Sequence, residues 1–169
     1  YIQYCKMLVK EKLYFKKNKE YRYKDQKNNL ECYNNKEYMF SYICGLGISQ
    51  FLWPNHSKMW AFFRDVCLNK ISQQTNYLEV GSGHGFYLTD AIMKLTKPNL
   101  TCVDLSDTSL EISKYVCNYL ISKKFNLNDI NCDFLKINNL TTQYDMIVIC
   151  EVLEHINNPR SFLEHTHKI

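Results

Sequence analysis

Tyr77-Leu78-Glu79-Val80 reads as a short buried strand, and it runs directly into Gly81-Ser82-Gly83-His84-Gly85-Phe86. An apolar, helix-compatible stretch then continues to about Leu95. Glycine at alternate positions removes side chains where a ligand must approach the backbone, and it permits dihedral angles that other residues avoid. The helix that follows presents unpaired N–H groups and the positive end of its dipole to the same space. A glycine-rich turn alone is weak evidence, since a tight strand-to-helix turn needs no ligand. Its placement between a strand and a helix is what narrows the possibilities.

The rest of the second half repeats the pattern. Leu100 to Val103 is a strand that ends at Asp104, and Leu110 to about Lys123 is a helix with Asp107, Thr108 or Ser109 as its cap. Ile130-Asn131-Cys132 is a weak third strand before Asp133. Tyr144 to Cys150 is the clearest strand, and Asn158-Pro159 opens a further helix. Strands alternating with helices predict βαβ units and a parallel sheet, so the fold class is α/β.

Residues 1–74 are read separately from residues 75–169. Ile2 to about Lys19 carries a partial helical stripe, and residues 20–35 read as a polar linker. Lys36 to Leu52 is an apolar, aromatic run interrupted by Gly45 and Gly47 and stopped by Pro54. His56 to Ser72 is expected to be one amphipathic helix. The net charge of +4 belongs to the leading segment: residues 1–40 hold ten Lys and Arg against five Asp and Glu, and the remainder eleven against twelve. A basic leader suits an acidic partner or nucleic acid. A solvated face in a lysine- and asparagine-rich chain explains it equally well and is preferred.

At 46% hydrophobic and 22% charged residues, the chain has a globular composition. It has no run near the roughly 20 apolar residues that span a bilayer, so no membrane partner is expected. Eight cysteines occur without a C-x-x-C pair, and no His cluster has zinc spacing. Cys102 and Cys150 fall inside strands, where a free thiol acts as a small hydrophobe. These features imply a reducing, cytoplasmic compartment and no metal. The first residue is Tyr, without a signal-peptide layout, which suggests a piece of a longer product.

Two ligand types compete for the glycine loop. A dinucleotide fingerprint, G-x-G-x-x-G, needs its third glycine at position 86, which is Phe86. Here the third glycine is Gly85, and Glu79 stands two places before Gly81. This E-x-G-x-G-x-G segment resembles motif I of class I methyltransferases that use S-adenosylmethionine (SAM). Three further segments extend the resemblance: Asp104 after the second strand, Asp133-Phe134 after the third, and Glu151-Val152-Leu153-Glu154-His155-Ile156 after the fourth. The last is similar to a segment found in many small-molecule methyltransferases.

The resemblance covers about residues 75–165 and implies a Rossmann-like sheet of strand order 3-2-1-4-5-7-6. This chain supplies strands one to four, behind an N-terminal helical segment, and leaves the fourth as an edge. It implies SAM as the cofactor. Glu79, Gly81, Ser82, Gly83 and Gly85 would form the loop, while Asp104 and Leu105 would meet the ribose. Asp133 and Phe134 would meet the adenine, and Glu151 the cofactor or acceptor. A carboxylate suits a ribose because two acceptor oxygens face two neighbouring hydroxyls.

If the acceptor is a hydroxyl or an acidic carbon, a base is required, and His155 is the candidate. A histidine with a purely structural hydrogen bond is the competing reading. His84 is read as incidental to the loop. By analogy with the family, the aromatic residues Tyr38, Phe40, Tyr42, Phe51 and Trp53, with His56, could form a lid or acceptor pocket. An aromatic stripe at helical spacing is ordinarily core, and that is the default. Three functions remain: a small-molecule methyltransferase, a nucleic-acid methyltransferase, and a silent SAM-fold partner module. The slightly acidic second half and the lack of an N/D-P-P-Y motif disfavour a nucleic-acid partner, so the first reading leads.

Overall fold

The computed structural model describes residues 1–20, 32–137 and 143–169. Most of the expected linker therefore lies outside the described residues. Helix α1, Ile2–Asn18, is followed by α2, Lys36–Leu52, whose cap Asn35 accepts the Tyr38 N–H at 2.9 Å. Helix α2 runs unbroken through Gly45 and Gly47, contrary to the interruption expected there. A glycine costs a helix about 1 kcal/mol relative to alanine, and here it admits a close neighbour. A Cβ on Gly45 would collide with the ring of Tyr4 from α1, and one on Gly47 would lie 3.3 Å from the Cβ of His84.

Pro54 both ends α2 and opens α3, Pro54–Phe62, at a position where its missing N–H costs nothing. The single helix expected from His56 to Ser72 is shorter, because α3 passes into a π-helical turn, Phe63–Cys67, closed by the Leu68 N–H on the Phe63 carbonyl at 3.0 Å. That wider turn brings Phe63 and Leu68 into the core.

The second half alternates as expected: β1 Asn76–Val80, α4 Phe86–Lys94, β2 Asn99–Asp104, α5 Asp107–Leu120, β3 Leu127–Asn131, β4 Met146–Ile149 and α6 Pro159–Thr166. All pairings are parallel and the order is β3-β2-β1-β4. This is the arrangement of strands one to four of a Rossmann-like methyltransferase fold. Among the described residues β4 pairs only with β1, and it is shorter than the Tyr144–Cys150 run suggested. The cap of α5 is Ser106, whose Oγ accepts the Ser109 N–H, rather than any of the three residues after it. Helix α6 begins as expected, with Asn158 accepting the Ser161 N–H at 3.1 Å.

Side chains alternate across a strand, and β1 divides the core accordingly. Tyr77 points to one face, where Leu88, Ile92, Leu100 and Cys117 fill the space beneath α4 and α5. Leu78 and Val80 point to the other, against Val103, Phe134 and Phe162. Helix α2 contacts both α1 and α5, which sets the N-terminal helices over the carboxyl ends of the strands. No helix among the described residues is long and apolar enough to cross a membrane.

Candidate active site

Open α/β sheets bind ligands beyond the carboxyl ends of their strands, where the strand order reverses. Here that point lies between β1 and β4, and a cavity of about 320 Å³ opens there. Gly81, Gly83, Asp104, Leu105, Asp133, Phe134, Glu151 and His155 all contribute to its wall. Four loops from four strands thus place these residues around one space.

The loop after β1 has positive φ at Gly81 (78°), Gly83 (47°) and Gly85 (75°). Side chains rarely tolerate that region, and bulk is excluded as well: a Cβ on Gly81 would lie 2.5 Å from Cγ2 of Val152. Glu79, Ser82 and Gly85 stand behind the wall. Glu79 is buried, and its carboxyl accepts the Tyr77 hydroxyl at 2.7 Å. Burial, with a contribution from Asp104, pushes that carboxyl up to about 8. The Ser82 Oγ lies 3.2 Å from the Ser113 Oγ of α5, so it ties the loop to that helix. His84 is buried too, its Nδ1 accepting the Phe86 N–H at 3.1 Å, and burial lowers it to about 4.

Asp104 ends β2 at the cavity floor. One oxygen accepts the Ser106 N–H at 2.9 Å, and the other lies 3.5 Å from the Gly83 nitrogen. Burial raises its carboxyl to about 6, although nearby backbone amides pull it down. The backbone amides of Ser82 and Leu105 also approach it, so a ribose would share the roughly four acceptor positions of the carboxylate with the loop amides. Asp133 accepts the Leu135 N–H at 3.1 Å and lies 3.7 Å from the Lys136 ammonium. Its neighbour Phe134 packs 5.1 Å from the Phe162 ring, so its role is shared between core and cavity.

Glu151 follows β4 with φ of 55°, a left-handed conformation that costs a non-glycine residue of order 1 kcal/mol. Burial raises its carboxyl, and so does the hydrogen-bonded carboxyl of Glu154. His155 Nε2 lies 3.9 Å from that same Glu154. Burial lowers the His155 ring, opposed by the charges of Glu154 and Glu11.

The opposite wall comes from the N-terminal helices. Tyr38, Tyr42, Trp53 and His56 line it, whereas Phe40 and Phe51 are exposed elsewhere. Tyr4 of α1 also lines this wall and Glu154, after β4, lines the cavity beside His155; the sequence assigned neither a role. Tyr4 could have been found only through the α1 stripe, because no motif surrounds it. Burial raises Tyr4 to about 12.

This site belongs to a sheet topology and loop set shared with methyltransferases. A sequence model described as "Methyltransferase domain" matches residues 78–169, more than half of the chain. The chain therefore belongs to that family of SAM-dependent methyltransferases, whose members bind SAM. No curated protein matches it in sequence. Among solved structures, one described as a methyltransferase from Bacillus halodurans C-125 aligns with TM-score 0.52 at 14% identity, over 62% of this chain and 42% of that one. The plantazolicin methyltransferase BpumL in complex with SAH aligns with TM-score 0.49 at 19% identity, over 75% and 56%. At 14% identity the first likeness is one of fold alone, and this chain spans only 42% and 56% of the two proteins.

Proposed function

We propose that this chain forms the cofactor-binding part of an enzyme that methylates a small-molecule acceptor from SAM. The observation that carries the reading is Asp104, a buried carboxylate that lines the cavity at the end of β2, beside a loop whose glycines exclude side chains. These residues fit the cofactor. Asp104 and Leu105 would hold the ribose, Asp133 and Phe134 the adenine, and the loop from Gly81 to Gly83, with Glu151, the amino-acid end. Glu79, Ser82 and Gly85 would support that loop from behind.

When bound, the cofactor supplies a sulfonium-activated methyl group. The chain's task is then to hold an acceptor in line with it, exclude water and manage the acceptor's proton. The aromatic wall from residues 1–74 serves as the lid over this space, and Glu151, Glu154 and His155 lie at its edge. No Lys or Arg stands among the described lining residues, whereas Glu11, Asp104, Asp133, Glu151 and Glu154 do. That lining disfavours a polyanionic acceptor such as nucleic acid, which proteins hold with cationic groups.

Calorimetric titration of the full-length protein with S-adenosylhomocysteine (SAH), with NAD as the control, tests the reading. Micromolar binding of SAH alone is expected. Absence of SAH binding by the folded protein would favour the silent-module reading, and NAD binding would overturn the argument from Phe86.

A further inference from the structure

His56 is the second imidazole on the cavity wall. It is 9% exposed and packs 4.9 Å from the Trp53 ring, close enough to His84 of the glycine loop to lower that ring further. Two short contacts fix where its proton lies. Ser49 Oγ is 2.5 Å from the Leu46 carbonyl oxygen and 2.8 Å from His56 Nδ1. A carbonyl has no hydrogen, so two oxygens this close must share the single proton of the Ser49 hydroxyl. Ser49 then offers only a lone pair to the imidazole, and Nδ1 must donate.

Neutral His56 therefore carries its hydrogen on Nδ1 and a bare lone pair on Nε2. Ser49 is fully buried in α2 on the Nδ1 side and does not line the cavity, whereas His56 does. The Gln50 amide nitrogen is 3.4 Å from Nδ1 and in this orientation would donate to it. Gln50 Oε1, however, is buried without a partner, and turning the amide sets that oxygen there as a second acceptor for the Nδ1 hydrogen. Burial also lowers the affinity of the ring for a second proton, which keeps Nε2 open near neutral pH. A hydrogen-bonded partner that fixes the tautomer of a base is a recurring catalytic device.

We propose that His56 is the base that takes the proton from the methyl acceptor, an inference that rests on the methyltransferase reading above. As the acceptor's X–H heteroatom forms its bond to the methyl carbon, the carbon–sulfur bond breaks and its electron pair stays on sulfur, leaving a thioether. The X–H proton passes to Nε2 and gives an imidazolium whose Nδ1–H remains on Ser49. The acceptor is thus a protic nucleophile with a lone pair on the attacking atom, such as a phenol, an alcohol or a neutral amine. Ser49 is the positioning residue, since it acts only through His56.

The test uses the full-length protein saturated with SAH. Two-bond nitrogen–proton spectra of its imidazoles at neutral pH should show His56 protonated on Nδ1 and bare on Nε2, and Ser49→Ala should shift it toward the other tautomer. With a labelled methyl donor and a panel of phenols, alcohols and primary amines, His56→Gln should lower kcat by about 100-fold or more while leaving SAH affinity within about twofold. The reversed tautomer in the wild-type protein, or a folded His56→Gln variant with undiminished kcat, would overturn the inference. Absence of SAH binding by the wild-type protein would overturn the methyltransferase reading along with it, whereas SAH binding with the reversed tautomer overturns only the role of His56.

Discussion

A Cβ on Gly85 would lie 2.8 Å from the Cα of Ser113, so the glycine loop and helix α5 meet backbone to backbone. Gly85 also has φ of 75° and opens α4. Gly85→Ala combines a strained dihedral with a contact that neither backbone can relieve, and should cost about 2–4 kcal/mol. Denaturant unfolding checks this, and wild-type stability in that variant would contradict the packing.

Asp104→Ala removes the floor carboxylate and leaves its backbone ties through β2 intact. SAH affinity should fall by about 1–3 kcal/mol, the range for hydrogen bonds to a charged group. Calorimetry on the folded variant measures it directly, and unchanged affinity would sink the ribose assignment.

Glu79 sets a pH dependence. Its carboxyl is raised from 4.5 to about 8, so the folded state keeps a proton that the unfolded chain releases. The associated stability is full below about pH 4.5 and is lost as pH rises through about 8. The shifts at His84, His56 and Asp104 act below about pH 6.5. Between pH 6.5 and 8, unfolding free energy should therefore fall by up to about 2 kcal/mol. Glu79→Gln should flatten that limb, and an unchanged slope would show that the carboxyl is ionised in the fold.

His155 and His56 make opposite predictions for turnover. With His56 as the base, His155→Ala should lower kcat by less than about tenfold, far below the loss from His56→Gln. The reverse order of severity in the same acceptor assay would assign proton transfer to His155.

Strands β1, β2 and β4 were legible because they are short apolar runs. Strand β3, Leu127–Asn131, begins three residues before the expected Ile130-Asn131-Cys132, because Asn128, Asp129 and Asn131 make it mostly polar and leave no apolar run to detect. Helix α2 was obscured by Gly45 and Gly47, whose cost in helix propensity is outweighed by contacts with Tyr4 and His84 that only the tertiary structure shows. The Ser106 cap is one that Asp107, Thr108 or Ser109 could equally have supplied, and the π turn after α3 is a backbone bond from Leu68 to Phe63 that no residue type announces. The motif residues marked the cofactor side of the cavity. The wall from Tyr4, Trp53 and His56 depends on how α1 to α3 lie over the sheet, which no local pattern encodes.

Gly47 lies so close to His84 that a Cβ added to it would come within 3.3 Å of the His84 Cβ. Helix α2 rests directly on the loop that would grip the cofactor, and Gly83 faces Ile43 and Leu46 of that helix. The roof over the acceptor side and the floor beneath the cofactor are therefore parts of one contact. On the proposed reading, disturbing the floor would disturb the roof, and entry of the acceptor would be coupled to the grip on the cofactor through this contact.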